Sequence, residues 1–296
     1  MEQKKKDRLT LVIIGAVAVA IFYFFNKPYE ITYSYPVWSK DGKKIYFTKE
    51  VSYEKRFYLF SMFGAPIDKR DCYVMSMNAD GSWKKVLASF KGDRDEFSYM
   101  CEFRGLKITP DGKELVFEVD SYGKAAYMIR KSEIYAVGVN GKNLRKAVSS
   151  EGRIGIIDFS ISPDGKKIVY TKEDNIDGVN KPRTVWLIDY DGGNDHMICG
   201  ENSHAAGWTI DGKAIISKFD ELSMYDPLSG NVIREVKTYG YSGTEFDASM
   251  KSLNAIEKTN ISPDGKKEVW EGDKGIVVKN LKTKKERLII KGIKRP

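Results

Sequence analysis

The sequence predicts an all-β protein, a β-propeller of four-stranded antiparallel blades, preceded by one N-terminal transmembrane helix. Two observations predict the propeller: a turn motif that recurs five times along the chain, and a second hairpin turn after each copy. A third observation, one apolar stretch near the N-terminus, predicts the helix. The composition agrees with a folded domain, because 42% of the 296 residues are hydrophobic and 30% are charged.

The recurring motif places Ser or Thr two residues before an Asp-Gly pair, which is followed by Lys and a short apolar run. Its five copies are VWSKDGKKIYF (37–47), KITPDGKELVF (107–117), SISPDGKKIVY (160–170), GWTIDGKAIIS (207–217) and TNISPDGKKEVW (259–270). Pro at the first corner restricts φ, Asp tolerates the second corner, and Gly takes the left-handed position, so each copy predicts a tight hairpin. The apolar runs do not alternate with polar residues, which is typical of strands buried on both faces.

A second hairpin turn follows each copy of the motif. These turns are Asp80-Gly81, Asn140-Gly141, Asp191-Gly192, Ser229-Gly230 and Thr283-Lys284. Two consecutive hairpins make a four-stranded unit, and units that repeat every 40–50 residues or so are typical of propellers. The first-turn glycines lie 70, 53, 47 and 53 residues apart. We therefore expect five blades, with six as the alternative.

The (S/T)-x-D-G-K pattern, followed by an apolar strand and an I-Y-x-x-x-x-x-G stretch, resembles the TolB-type propeller repeat of bacterial envelope proteins. The resemblance covers roughly residues 35 to 292. It implies a fold rather than a function, because binding proteins and enzymes share that fold. Related propellers usually have six blades, whereas this sequence has five copies. Ser217 and Glu268 also stand at positions that are apolar or aromatic in the other copies.

The stretch from Leu9 to Phe25, LTLVIIGAVAVAIFYFF, has no charged residue. At about 1.5 Å per residue it reaches ~25 Å, the short end of what a bilayer core requires. Four cations precede it and one follows closely: Lys4, Lys5, Lys6 and Arg8, then Lys27. This bias predicts a single-pass plasma-membrane protein with a cytoplasmic N-terminus and a propeller outside the cytoplasm. The alternative, a cleaved signal peptide, has a shorter apolar run.

These features divide the chain into a cytoplasmic basic tail (1–8), a transmembrane anchor (9–25), a linker (26–34), the propeller (35–292) and a basic C-terminal tail (293–296). The formal net charge of +8 is concentrated at the two ends of the chain, which argues against a nucleic-acid-binding protein. The C-terminal cations are either solvated or in contact with an anionic surface. The candidates for that contact are Lys284, Lys285, Arg287, Lys294 and Arg295.

Loop length distinguishes the two faces of the predicted propeller. The turns within hairpins are minimal, whereas the connections on the opposite face are long. Long connections are usually functional, and aromatic residues among charges suit an interface. The candidate binding residues on this face are Phe57, Tyr58, Phe60, Arg94, Tyr99, Tyr122, Tyr127, Asp174, Asp177 and Tyr241. The alternative is that these loops fold back and cover the propeller.

The sequence contains no recognisable catalytic constellation. The two histidines, His196 and His204, are expected on opposite faces and therefore share no metal. Residues 173–178 resemble the start of a calcium loop, but Thr184 stands where that loop has a bidentate acid. We expect no cofactor and no metal. A disulfide between Cys72 and Cys101 remains open, because three cysteines fit neither a disulfide scaffold nor a zinc site.

We therefore expect a binding module that presents its long-loop face to an envelope protein or an anionic surface polymer, and not an enzyme. The alternatives are a propeller enzyme acting on glycans or peptides at its central mouth, and an accessory subunit of an envelope complex. Convergent acids of raised pKa in a deep pocket would favour catalysis. A broad aromatic surface would favour a partner.

Overall fold

A computed structural model of the chain contains five consecutive antiparallel sheet units and two helices in its described part. The structure describes residues 10–17, 30–53, 69–91, 100–122, 129–151, 154–174, 182–200, 202–218, 221–237, 244–253, 255 and 260–294. The helices are α1 (10–17) and α2 (Thr244–Ser252).

The first four units each have four strands, in chain order, as the repeats predict. Unit 1 contains β1 (Glu30–Trp38), β2 (Lys44–Tyr53), β3 (Lys69–Asn78) and β4 (Lys85–Lys91). Unit 2 contains β5 (Met100–Ile108), β6 (Glu114–Tyr122), β7 (Ile129–Gly138) and β8 (Arg145–Glu151). Unit 3 contains β9 (Ile154–Ile161), β10 (Lys167–Asp174), β11 (Thr184–Asp189) and β12 (His196–Cys199). Unit 4 contains β13 (Ser203–Trp208), β14 (Ala214–Lys218), β15 (Glu221–Tyr225) and β16 (Val232–Lys237).

Unit 5 has three strands in the described residues, and a single bridge stands where its first strand would be. The strands are β17 (Lys267–Gly272), β18 (Gly275–Asn280) and β19 (Glu286–Lys291). The bridge pairs Ile261 with Glu268 on β17. A final short strand, β20 (Ile293–Lys294), pairs with the start of β1. One parallel bridge, between Arg70 and Met100, links units 1 and 2.

The residues of the repeated turn form a small set of local hydrogen bonds, which explains why the same residue types recur in it. In unit 1 the Ser39 hydroxyl donates to Asp41 Oδ1 at 2.7 Å and accepts from the Lys44 amide at 2.9 Å. The Gly42 amide donates to the Ser39 carbonyl, and Gly42 takes φ of 67°. Because these groups satisfy one another locally, a Ser/Thr-x-Asp-Gly sequence specifies the turn without tertiary contacts. The copies at Thr109, Ser162 and Ser262 repeat the hydroxyl-to-Asp bond.

Apolar residues form buried clusters between the first four units, each with the next. Separate clusters join unit 1 to unit 2, unit 2 to unit 3, and unit 3 to unit 4. Sheets that pack face to face in chain order are the arrangement of a β-propeller. The apolar runs without alternation are therefore buried on both faces, as their sequence predicts.

The last unit packs against the first. Trp38, Ile45 and Phe47 of unit 1 share a buried cluster with Val269 and Ile276 of unit 5. The Trp38 indole also donates to the Asn260 carbonyl. The equivalent tryptophan in unit 4, Trp208, donates to Ser160 of unit 3. The chain therefore returns to its starting point.

Helix α2 packs against the face of unit 4 that is opposite to unit 3. Met250 on α2 and Leu253 just after it pack with Ile215 and Leu222 of unit 4. Ala255 forms an isolated bridge with Thr209. The sequence predicts a long connection here and gives no sign of the helix, because its apolar residues meet unit 4 only in the folded chain.

The two ends of the units differ, and we name them by their connections. The turn end carries the tight turns within hairpins, and the loop end carries the connections from second to third strands and between units. Strand β1 begins at Glu30, inside the predicted linker, and β20 occupies the predicted basic tail. These two strands pair at the loop end, through a long-range contact that neither segment reveals alone.

Only part of the predicted anchor is described. Residues 10–17 are helical, and Leu11, Val12, Ile13, Ile14 and Val17 are more than half exposed. Residue 9 and residues 18–25 lie outside the described residues. Within the described part of the chain, no helix is both long enough and apolar enough to cross a membrane.

Candidate functional site: an acidic centre at the loop end

Six acidic side chains from four units influence one another electrostatically near the loop end, and we call this group the acidic centre. Its members are Glu50 of unit 1, Glu102, Glu118 and Asp120 of unit 2, Asp158 of unit 3 and Glu271 of unit 5. Glu118 and Asp120 lie on the same face of β6, because their side chains are two residues apart. Asp120 stands opposite Glu102 of β5 in the sheet register.

The deepest members are Glu118 and Asp120, neither of which has an exposed side-chain surface. Asp120 Oδ2 lies 2.6 Å from Arg104 Nε. Burial raises the pKa of Asp120 to about 6. Burial, and then the charge of Asp120, raises the pKa of Glu118 to about 10. Glu118 is therefore protonated at neutral pH.

One of the two carboxyl oxygens of Glu118 has no partner among the described residues. Its Oε1 accepts a bond of 3.2 Å from the Ser132 hydroxyl. Its Oε2 has no hydrogen-bond partner among the described residues, although the side chain is completely buried. A buried carboxyl oxygen without a partner costs free energy, and it is found where a site serves something besides stability.

A second layer connects the buried acids to the surface. The Tyr122 hydroxyl donates to Glu102 Oε2 at 2.9 Å and accepts from Arg104 Nη2 at 3.1 Å. Arg104 therefore links the buried Asp120 with Tyr122 and Glu102, which are half-buried. The guanidinium holds both layers in a fixed geometry.

Glu50 ties unit 1 to this network. Its Oε1 accepts from the Phe103 amide of unit 2 at 2.9 Å, and its Oε2 pairs with Arg70 at 3.2 Å. Burial raises the pKa of Glu50, and the charges of Glu102 and Glu271 act in the same direction. The three carboxylates therefore share one electrostatic environment.

Tyr35 stands at the edge of the acidic centre in a strained conformation. It has φ of 52°, inside an irregularity of the β1–β2 ladder between Ser34 and Val37. A bulky residue with positive φ is uncommon and costs roughly 1–2 kcal/mol. Burial, followed by the charges of Glu271, Glu50 and Glu102, raises the pKa of Tyr35 to about 12. The residue as a whole remains 40% exposed, so part of its surface is open to a ligand.

Asp158 extends the acidic centre toward unit 4. It is more than half exposed and lies 3.7 Å from His204 Nδ1. His204 Nε2 contacts Arg183 Nη1 at 2.7 Å, and Arg183 Nε donates to Glu173 at 2.9 Å. His196 lies elsewhere, with its Nδ1 2.7 Å from the Asn194 carbonyl in a turn at the turn end.

This arrangement suits a cationic organic group, such as a lysine or arginine side chain, better than a metal ion. Within the described residues, no three or more His, Cys, Asp and Glu side chains are grouped as metal ligands. Carboxylates gathered in a partly buried site focus a negative potential. An exposed tyrosine ring beside them also favours a cationic group.

Of the ten candidate binding residues, Tyr122 joins the acidic centre. Asp174 ends β10 at the loop end, and its side chain is outside the described part. The remaining eight lie outside the described residues: Phe57, Tyr58, Phe60, Arg94, Tyr99, Tyr127, Asp177 and Tyr241. Their role stays a prediction.

The four candidate anionic-surface residues in the described part of the chain lie at two opposite ends of the units. Lys284 and Lys285 lie in the β18–β19 turn and Arg287 near the start of β19, all toward the turn end. Lys294 is in β20, beside Glu30 at the loop end. Arg295 is outside the described residues.

Sequence reasoning missed most of the acidic centre, although β6 carried a signal. Its sequence, ELVFEVDSY, places Glu118 and Asp120 inside an otherwise apolar buried strand. Acids in such a run need partners, and that need marks a candidate site. The positions of Glu50 and Glu271 depend on how units meet, which local sequence does not show.

No family model matches the sequence, and no curated protein matches it. Similar solved structures include a puromycin hydrolase, at 15% identity and a TM-score of 0.47. They also include an oligogalacturonate lyase in complex with manganese, at 13% and 0.44, and a dipeptidyl peptidase 4 of Porphyromonas gingivalis, at 12% and 0.45. These matches cover 88%, 85% and 88% of this chain. The chain spans 37%, 65% and 39% of the respective structures. At such similarity the likenesses assign no activity to the chain.

Proposed function

We propose that this chain is a five-bladed propeller of TolB type that binds a cationic segment of a partner protein at its acidic centre. The observation that carries the proposal is the gathering of acidic side chains from four units near the loop end, of which Glu102, Asp158 and Glu271 are accessible. A lysine or arginine side chain supplies the opposite charge and the hydrogen-bond donors for these three carboxylates. Tyr35 supplies an exposed ring for the same cation.

The accessible members of the acidic centre are the ones that would touch a ligand. Asp158 and Glu271 are exposed, and Glu102 is half-buried. Beneath them, Glu50 and Asp120 form ion pairs with Arg70 and Arg104, and Glu118 is protonated. Binding through the outer carboxylates therefore needs no rearrangement of the buried ones.

The proposal includes a membrane anchor at residues 9–25, supported by their apolar sequence and by the four cations that precede them. Residues 26–29 can span at most about 14 Å, so an anchored chain holds Glu30 close to the membrane. Because β1 starts at the loop end, the acidic centre then faces the membrane. This geometry favours a partner whose cationic segment lies close to the extracytoplasmic surface of the membrane that holds the anchor.

The proposal can be tested with a pentalysine peptide and the full-length chain in a nonionic detergent. We expect the peptide to bind by calorimetry, and pentaglutamate not to bind. The triple variant Glu102→Gln, Asp158→Asn and Glu271→Gln removes three charges with little change in shape. It should weaken pentalysine binding by at least about tenfold, since each accessible carboxylate contributes to a shared potential.

The matched control is Glu286→Gln, which removes an exposed carboxylate in β19 near the turn end. It should leave pentalysine affinity within about twofold of the unmodified chain. Undetectable binding, or an equal loss in the control, would contradict the proposal.

A second candidate function is an enzyme acting on glycans or peptides at the central mouth. The observation in its favour is the Glu118–Asp120 pair, whose pKa values of about 10 and about 6 separate an acid from a base. Both side chains are completely buried and cannot contact a substrate, so we favour binding over catalysis as the function. Turnover of a peptide or glycan library that Asp120→Asn abolishes would reverse this order.

A further inference from the structure

The turn end carries an exposed tryptophan in an unfavourable backbone conformation. Trp83, in the β3–β4 turn, has φ of 49° and is 85% exposed. The corresponding left-handed residues of units 2 and 3 are Asn143 and Asn194. Asn tolerates this conformation, whereas a bulky aromatic residue does so at a cost. Trp83 therefore occupies a position where units 2 and 3 have Asn, a residue that tolerates left-handed backbone better. Its side chain buries little surface that could offset this backbone cost.

Trp83 borders a cleft of about 570 Å³. We call it the Trp83 cleft, and its polar lining residues are Lys44, Ser76, Asn78, Lys84 and Lys85. Its volume falls within the range of ligand clefts, about 300–1,000 Å³. Within the described residues, neither Lys44 nor Lys84 forms an ion pair with an acid, and Lys85 Nζ donates to the Asn140 carbonyl.

The neighbouring turn of unit 5 extends this basic surface. Gly81, in the same turn as Trp83, packs against Ile289 of β19. Arg287 of β19 acts electrostatically on Asp80, and Lys284 and Lys285 lie in the turn just before that strand. Arg287 of unit 5 therefore adds a cation beside the turn that carries Trp83. None of these residues belongs to the acidic centre.

We propose that the Trp83 cleft binds an anionic polysaccharide, one whose sugar rings carry carboxylates. The indole offers a flat apolar face for the C–H face of a sugar ring, and Asn78 offers amide donors and acceptors for hydroxyls. The lysines attract the carboxylates. An open cleft with a further cation, Arg287, beside its turn accommodates a chain that continues beyond one sugar unit. This site is independent of the proposed binding of a cationic segment at the acidic centre.

The test measures binding of alginate, a polymer of uronic acids, to the full-length chain in nonionic detergent. Dextran supplies sugar rings without charge, and polyphosphate supplies charge without sugar rings. We expect alginate to bind at least about tenfold more tightly than either, because ring and charge contribute together. Binding of polyphosphate or dextran equal to that of alginate would overturn the proposal.

The decisive variant is Trp83→Asn, which installs the residue of the sister turns. It should weaken alginate binding by about tenfold while the melting temperature stays the same or rises. The control is Leu228→Asn, which changes an 87% exposed apolar residue in the second turn of unit 4. It should leave the affinity unchanged.

Charge reversal tests the lysines separately. Lys44→Glu together with Lys84→Glu should abolish alginate binding, whereas Lys166→Glu, in the first turn of unit 3, should preserve it. The triple variant of the acidic centre should bind alginate normally, so the two proposals fail independently. An unchanged affinity in Trp83→Asn or in the double lysine variant would refute the assignment.

Discussion

Trp38 and Asn260 lie 222 residues apart in the sequence, and the indole Nε1 of Trp38 donates to the Asn260 carbonyl at 3.1 Å. The bond joins unit 1 to the segment that begins unit 5. The same carbonyl also accepts from the Val269 amide of β17. The acidic centre contains residues of both units, so this contact helps to assemble it.

Trp38→Phe should destabilise the chain by about 1–3 kcal/mol, because it removes a buried donor and part of a packed ring. Hydrogen exchange followed by mass spectrometry should show faster exchange in β18 of unit 5. Trp208→Phe removes the equivalent bond to Ser160 and should instead speed exchange in unit 3. Unchanged exchange in β18 of the Trp38 variant would contradict the coupling.

Gly275→Ala should be one of the most destabilising single substitutions in unit 5. Gly275 has φ of 133°, and a Cβ there would lie within van der Waals overlap of the Ile290 carbonyl oxygen. We expect a loss of at least about 3 kcal/mol in urea denaturation. Gly193→Ala, in an open turn of unit 3, should cost less than about 1 kcal/mol. Similar losses in both variants would show that β18 and β19 do not approach so closely.

Stability should fall as pH rises from about 4 to 8, through the buried acids of unit 2. The folded-state pKa values of Asp120 and Glu118 are raised above their ordinary values, so the folded state binds more protons in this range than the unfolded state. Glu118→Gln removes one of these groups without leaving a charge. It should raise the free energy of unfolding at pH 8 by roughly 1–3 kcal/mol and have a smaller effect at pH 4.

The control for this titration is Glu114→Gln, at the other end of β6, where the carboxylate bonds to Arg145 and Tyr190. Its removal should lower stability at pH 8. Stabilisation by both variants, or by neither, would contradict the assignment of the pH dependence to Glu118.

The local repeats were predictable from the sequence, and the contacts between distant segments were not. The Ser39–Asp41–Gly42 turn and its copies follow from bonds within six residues, so their positions and the strands beside them were recognised. Strand β20 was missed because two residues, Ile293 and Lys294, become a strand only by pairing with β1. Helix α2 was missed for the same reason.

The functional residues show the same limit. Tyr122 was proposed from loop length, and its contact with Arg104 came only from the sheet register. The exposure of Trp83 follows from the turn geometry of unit 1, which the Asp80-Gly81 pair predicts. Its significance appears only when the left-handed residues of sister turns are compared in three dimensions.

Alkylation should distinguish the three cysteines, all of which are free thiols in the structure. Cys72 and Cys101 are buried, and the Cys72 thiol donates to the Cys101 carbonyl at 2.9 Å. Burial raises the pKa of Cys72 and so keeps it from forming a reactive thiolate. Iodoacetamide should label Cys199, which is partly exposed, well before the other two. Mass spectrometry of the native and denatured protein measures this order. Labelling of Cys72 first, or a Cys72–Cys101 disulfide in the purified chain, would contradict it.

The most direct test of the account is a cross-link between the two ends of the propeller. The acidic centre needs unit 1 beside unit 5, and Ile31 of β1 lies opposite Ile293 of β20 in the register. Ile31→Cys with Ile293→Cys should form a disulfide on mild oxidation, because paired cross-strand residues have suitable separation. Peptide mapping should recover the linked pair in most molecules, and Ile31→Cys with Ile233→Cys in unit 4 should not link. Absence of the 31–293 link, or equal linking in the control, would contradict the joined propeller on which the acidic centre depends.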